Sequence, residues 1–361
     1  MAMTPMARKR SFLAQYRAVL FSVLAFLIAP AIFLASNAQH AMRRSLPPAS
    51  EASISQDLSY PIFRADSFWY QKIPRNVILH ENSLQYAQEF ARQVKSYYGH
   101  IAINLSSYSS PVYTVGPDVP VVAVSPWDCW GNGFRDKKLE ADFAAVPIPP
   151  YAQPAGGTDA EMSIYQPATG LLWEFWRARK VEGSWQACWG GRMSGISDSP
   201  GIWPNPYGAA ATGLPFAPGQ ILVEELQRGE IRHVMGISIV DAEANDYSWP
   251  ANRTDGLNPN KEPNRILEGS RLRLDPNIDL DSLHLHPIAK AIAKAAQIYG
   301  FVVWDRAGSV SLRAENPLRY TAIGRPDPYR SLFGDTPGYK IMDRFPWNKM
   351  QFLPANHGRP K

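Results

Sequence analysis

Residues 19–35 run almost wholly apolar, broken only by Ser22 and Pro30, and this run decides where the rest of the chain folds. Four cations precede it, Arg8, Lys9, Arg10 and Arg17, and no acidic residue occurs in the first 38 positions. Small residues at Ser36 and Ala38 follow, in the −3 and −1 pattern of a signal-peptidase site that cuts after Ala38. The run is 17 residues long, at the low edge of what spans a bilayer. Residues 1–38 are therefore expected to be a signal peptide, with a retained membrane anchor as the second reading. Both place the rest outside the cytoplasm, because the basic end stays inside. The expected location is secreted or extracytoplasmic, with the membrane a partner if the leader is uncleaved.

Removing the leader changes what the charge says. The chain carries 37 Lys and Arg against 32 Asp and Glu; setting aside the four leader cations leaves 33 against 32. A nucleic-acid footprint needs clustered, excess positive charge, so nucleic acid is excluded as a partner. The exported part holds two cysteines, Cys129 and Cys188, each flanked by tryptophans: Trp127 and Trp130 around one, Trp185 and Trp189 around the other. An even count in an oxidising compartment predicts one disulfide, with two buried free thiols as the alternative. Neither spacing matches a metal site, and no metal or cofactor is expected.

Thirty-two prolines and a 12% aromatic content, including 11 tryptophans, predict many turns, few long helices and a mainly β fold. A linker is expected over 39–66 and a helix over 84–98, with Leu84, Ala87, Ala91, Val94 and Tyr98 on its buried face. Strands over 112–115 and 119–124 and a short helix at 138–144 complete an N-terminal helix-plus-strand subdomain, 67–150. The Pro- and Gly-rich residues 147–157 mark the boundary. Strands are then expected at 162–165, 172–176, 185–189, 232–240, 271–274, 301–304 and 310–313, with helices at 221–228 and 287–299. Their spacing predicts an antiparallel, jelly-roll-like β-sandwich over 151–323. A surface-wrapping tail is expected over 324–361, in which Phe345, Trp347 and Phe352 seek burial.

The chain contains no nucleophile-elbow, zinc-protease, phosphate-loop or dinucleotide-binding motif. Three looser groupings carry the chemistry instead. Asp159 and Glu161 alternate on one face of any strand they share, ahead of Glu174, which is flanked by Trp173 and Trp176. Carboxylates beside indoles suit sugar recognition, and paired carboxylates suit glycosidic cleavage. The structural alternative pairs Glu174 with Arg177 or Arg179 and puts both tryptophans in the core. Next, Glu224 and Glu225 precede His233 at a strand entrance, where it is either a general base or a structural histidine. Last, Arg253 and Asp255 lie in a polar loop after Trp249 and Pro250, suited to a saccharide or a metal; its spacing is not that of an EF-hand, and calcium has only weak support there. Glu174, Glu225 and His233 are the candidate catalytic residues; Asp159, Glu161, Trp173, Trp176, Arg253 and Asp255 are the candidate ligand-binding residues.

Several short pieces are similar to known sequences: Thr158 to Glu161, Leu172 to Trp176, Ala211 to Pro215, Glu225 to His233, Trp249 to Ala251, Glu268 to Leu274 and Tyr299 to Asp305. Through them the stretch 158–317 resembles a loose, uncharacterised set of bacterial exported β-sandwich proteins. The resemblance implies fold and export and names no activity. Many members of the set carry histidines where this chain has Glu161 and Arg253. The expected function is an exported carbohydrate-active protein, a glycan hydrolase or lyase, acting on a polysaccharide or cell-envelope glycan. A non-catalytic cell-envelope or glycan-binding protein is the alternative.

Overall fold

Strands that are apolar on both faces organise the molecule, because each must be covered twice. The computed structural model describes residue 58, residues 61–259 and residues 265–360. The expected leader, residues 1–38, and nearly all of the expected linker's first half lie outside them. A six-stranded sheet runs in the order β1 (Ala102–Asn104), β14 (Ser311–Arg313), β9 (Met235–Ile239), β13 (Phe301–Arg306), β12 (Arg271–Leu274) and β15 (Met350–Phe352). A four-stranded sheet runs β2 (Val112–Thr114), β4 (Met162–Gln166), β5 (Leu171–Trp176) and β8 (Trp189–Ser194). Two smaller sheets join β3 (Val124–Pro126), β7 (Ser184–Ala187) and β6 (Arg179–Val181), and β10 (Ala242–Tyr247) with β11 (Ile266–Glu268).

Side-chain alternation assigns each face to a core. Along β13, Phe301 and Val303 face one core with the helices Ser83–Ser96 and Pro287–Ile298. Val302 and Trp304 face a second core, which also takes Val112 of β2, Leu172 of β5, Met193 of β8, Trp203 and Phe216. The four-stranded sheet sends Tyr113, Ile164, Trp173 and Phe175 into a third core, under the helix Lys137–Asp142. The two larger sheets thus share the middle core. Trp304 fits there because Gly236 lies beneath its ring; a Cβ at Gly236 would sit 2.2 Å from Cδ2 of the indole.

The chain is mixed α/β, with about 24% strand and 23% helix. Antiparallel pairing holds for β4 with β5, β5 with β8, β12 with β13 and β15, and β9 with β14. The uniformly antiparallel expectation does not hold, because β9 with β13, β1 with β14 and β2 with β4 are parallel. Parallel neighbours require a long crossover; between β9 and β13 the chain makes the helix Pro287–Ile298, whose buried Ile288, Ile292, Ala295 and Ala296 pack in the first core. Residues on either side of 147–157 share the four-stranded sheet through β2 and β4. The tail supplies β15 at a sheet edge, with Phe345 and Phe352 buried.

The first helix corrects the expected face. Its buried residues are Tyr86, Ala87, Phe90 and Gln93, while Leu84 is 68% exposed and the nearby Tyr98 77% exposed. The two large rings at i and i+4 set the stripe, packing on Phe352 at centroid distances of 5.4 and 6.5 Å.

Cys129 and Cys188 form the expected disulfide, with Cα atoms 5.6 Å apart. It ties the loop after β3 to the link between β7 and β8. Closing a loop whose ends are 59 residues apart removes about 4 kcal/mol of unfolded-state entropy. Replacing both cysteines with serine should lower the unfolding free energy by about that amount in denaturant titrations. Protein unfolded without reductant should take up no alkylating agent; two modified thiols per chain would contradict the bridge.

Candidate functional site

Glu174 sits at the centre of β5, opposite Ser163 on β4 and Gly191 on β8. Gly191 leaves room for the Trp203 indole, since a Cβ there would lie 3.2 Å from Cζ3 of that ring. Gly208, at φ +101°, meets the pyrrole end of the same ring, where a Cβ would lie 2.3 Å from Cδ1. The indole packed against both glycines donates from Nε1 to Oε2 of Glu174 at 3.1 Å. The Ala217 N–H donates to Oε1 at 2.9 Å. The carboxyl group is fully buried, and desolvation pushes it up to about 7 against these donors. Arg177 and Arg179 lie instead against the Trp127 ring. Trp173 points to the opposite face, where it is core and donates to the Asp142 carbonyl at 2.9 Å.

Glu225 and His233 do meet. The Leu222 N–H at the start of the helix Val223–Arg228 donates to Glu225 Oε2 at 3.0 Å, and the same oxygen lies 3.0 Å from His233 Nε2. His233 Nδ1 lies 2.8 Å from the Val234 carbonyl. Both ring nitrogens therefore face acceptors, which only the doubly protonated ring satisfies. Burial opposes that charge, but the Glu225 carboxylate and the two hydrogen bonds outweigh it and raise the His233 pKa. The neighbouring Glu224 is taken by Arg319 and the Tyr320 hydroxyl. Glu174, Glu225 and His233 are each 1% exposed or less, so no substrate reaches them without opening the core.

Most of the remaining candidates converge on an acidic network that sequence reasoning only half assembled. Asp159 and Glu161 do not share a strand, because β4 starts at Met162 and Ala160 adopts a left-handed φ of 39°. Glu161 instead turns inward and pairs with Arg313 of β14 at 2.5 Å. Arg313 also binds Asp305 at 2.7 Å and lies over the Phe216 ring at 4.3 Å. Burial works against the guanidinium charge, yet Glu161, Asp305 and Asp159 together raise its pKa. Asp305 reaches Arg313 because β13 bulges: Val303 pairs with Ile237 and Asp305 with Ser238, so two residues of β13 oppose one of β9. Beside it, carboxylate oxygens of Asp305, Asp255 and Glu268 all lie within 4.8 Å of one another. Arg253 donates to the Ala210 carbonyl at 2.7 Å, and burial lowers its pKa to about 10. Asp305, Glu268 and Arg313 were missed as site residues, although a charged residue closing the apolar run of β13 is the signal that marks a re-aimed side chain.

The other grouping is aromatic and open. Trp176 and Trp189 are directly opposed on β5 and β8. Trp130 approaches both, at centroid distances of 6.1 and 6.0 Å, and Phe134 lies 6.0 Å from Trp189. Trp130 and Phe134 are each 49% exposed. Their loop is fixed by Asp128, whose carboxylate accepts from the N–H groups of Gly131 (2.7 Å), Asn132 (3.3 Å) and Gly133 (2.7 Å). Those bonds, led by Gly133, lower the Asp128 pKa. The disulfide anchors the same loop at Cys129. Indole N–H groups are consumed internally: Trp176 donates to Asp159 Oδ1 at 3.1 Å, Trp189 to the Pro206 carbonyl at 3.3 Å and Trp127 to the Arg177 carbonyl at 3.2 Å. Of this platform, Trp176 and Asp159 were expected; Trp130, Trp189 and Phe134 were missed as site residues. The tryptophans flanking both cysteines were the signal for them.

Compared with protein-family models, with curated proteins and with solved structures, the chain matches none. The geometry of the Glu225–His233 pair makes its own prediction. Because the folded His233 pKa is raised, its stabilising effect is complete below the ordinary value of about 6.5 and is lost as pH rises through the folded value. His233→Gln should cost about 3–5 kcal/mol in acid, by leaving Glu225 buried without its cation. Urea unfolding of both proteins from about pH 5.5 to 9 should show that difference shrinking with pH. A difference that grows with pH would contradict the charged pair.

Proposed function

We propose that the chain is an exported, non-catalytic glycan-binding protein whose binding surface is the aromatic platform of Trp130, Trp176 and Trp189. One observation carries the reading: the Trp176 and Trp189 rings are locked by internal N–H hydrogen bonds, beside a half-exposed Trp130 held on a braced loop. With the donors occupied, ring faces are what a ligand meets. A pyranose offers a flat face of C–H groups that stacks on such rings while its hydroxyls reach polar neighbours. Asp159, Asn132 and Arg135 stand at the rim and supply both acceptors and donors.

Pre-ordered aromatics also lose little entropy on binding, which favours affinity without chemistry. The hydrolase or lyase reading requires Glu174, Glu225 and His233 around a substrate; their burial supports binding over cleavage. Export rests on the leader pattern, and the disulfide is consistent with an extracellular location. The target is a polysaccharide or cell-envelope glycan. The sandwich and the resemblance to exported β-sandwich proteins remain part of this proposal, supported by the core that the two larger sheets share.

Affinity electrophoresis through gels containing soluble polysaccharides tests the reading. Retardation by a bound glycan should weaken at least about tenfold in Trp130→Ala, a loss of about 1.4 kcal/mol, with the thermal midpoint unchanged because the ring is half-exposed. Unaltered retardation would remove the platform from binding. Release of reducing or unsaturated ends by the wild type would instead favour the enzyme.

A further inference from the structure

Asp255, Glu268 and Asp305 form a second site that the glycan reading does not use. Asp255 lies in the loop after β10, Glu268 ends β11 and Asp305 follows the β13 bulge. One carboxylate oxygen from each lies within 4.8 Å of the others. Oxygens bound to one calcium ion at about 2.3–2.6 Å are at most about 5 Å apart, so the cluster can close on a shared calcium ion with a small adjustment of its side chains. Magnesium, at about 2.0–2.1 Å, would require the cluster to contract. The donors are all oxygen, which disfavours zinc.

A further observation points to a missing partner. Glu268 is completely buried, and its Oε1 accepts no hydrogen bond, while Oε2 takes the Asp255 N–H at 3.1 Å. The adjacent Thr254 hydroxyl favours the ionised carboxylate and also lies 3.4 Å from the Glu243 carbonyl. An orphaned carboxylate oxygen in the interior costs about 1–3 kcal/mol or more unless something cationic meets it. The surrounding charge agrees. Asp255, Glu268 and Asp305, together with Asp159 and Glu161, stand against Arg253, Arg306 and Arg313. Carboxyl groups thus outnumber guanidiniums around the cluster, five to three.

We propose that Asp255, Glu268 and Asp305 bind one calcium ion, with water completing its coordination on the exposed Asp255 side. The ion would fasten the loop carrying Arg253 and Asp255 to the ends of β11 and β13. Its three ligands are distinct from the aromatic platform, so the two proposals are tested separately.

Calorimetric titration of calcium chloride into purified protein stripped with chelator tests it. One ion should bind per chain, with Kd on the order of 10⁻⁴–10⁻³ M as in extracellular calcium modules, and raise the thermal midpoint. Glu268→Gln should abolish binding. Asp255→Asn should weaken it at least about tenfold and shrink the calcium-induced rise of the midpoint, measured against the same variant in chelator. No heat and no midpoint shift at about 10 mM calcium, above that affinity range, would overturn the site. So would calcium binding that both variants retain, or a response to magnesium chloride alone.

Discussion

The seat of the Trp203 indole is the contact on which the rest of the molecule depends. Two glycines, Gly191 and Gly208, leave the slot, and the buried Glu174 carboxylate fills the far end by accepting the indole N–H. The second oxygen of that carboxylate holds the Ala217 N–H, next to Phe216, whose ring meets Trp304 of the other large sheet at 5.2 Å. One side chain thereby fastens the four-stranded sheet to the segment that fills the space before the six-stranded sheet. Leaving a buried polar group without its hydrogen-bond partner costs about 1–3 kcal/mol, a sizeable part of a typical domain's stability. A residue so committed is poorly suited to exchanging protons with a substrate.

The same core explains why the two site groupings differ in character. Arg313 lies between Glu161 and Asp305 above Phe216, at the margin of the middle core, so the acids around it are buried and tightly held. Trp176 and Trp189 lie at the ends of β5 and β8, where the strands leave the sheet and their rings emerge. Chemistry near the core is electrostatic, the setting of the proposed cation site; at the strand ends it is an aromatic surface with polar edges, the setting of the proposed glycan site.

Local features of the fold are legible in the sequence, and non-local ones are not. The helix Pro287–Ile298 is legible from its proline start and its Ile288, Ile292 and Ala296 repeat, β5 and β13 from short apolar runs, and β12 from the alternation of Arg271, Leu272, Arg273 and Leu274. The cysteine pair was legible from count and compartment. Glu174 stood out as a charged residue between tryptophans, but its actual partner, Trp203, comes from 29 residues away, and two glycines elsewhere admit it. Asp305 is re-aimed by a bulge, a matter of pairing register that no periodicity discloses. Leu84 was placed on the buried face of its helix because heptad-like spacing counts every apolar residue, whereas the rings of Tyr86 and Phe90 decide which face packs. Parallel pairing likewise depends on where a crossover helix returns the chain.

The central claim is that ligand meets the outer indoles and leaves the inner ones alone. Nitrogen-15 NMR of the tryptophan indole N–H groups reads both at once, because Trp203 reports directly on Glu174 and Trp176 on Asp159. Titration with soluble cell-envelope glycan fragments should move or broaden the resonances of Trp130, Trp176 and Trp189, while those of Trp203, Trp173 and Trp304 stay in place. Perturbation centred on Trp203, with the three platform signals unmoved, would place the ligand at Glu174 and contradict the account.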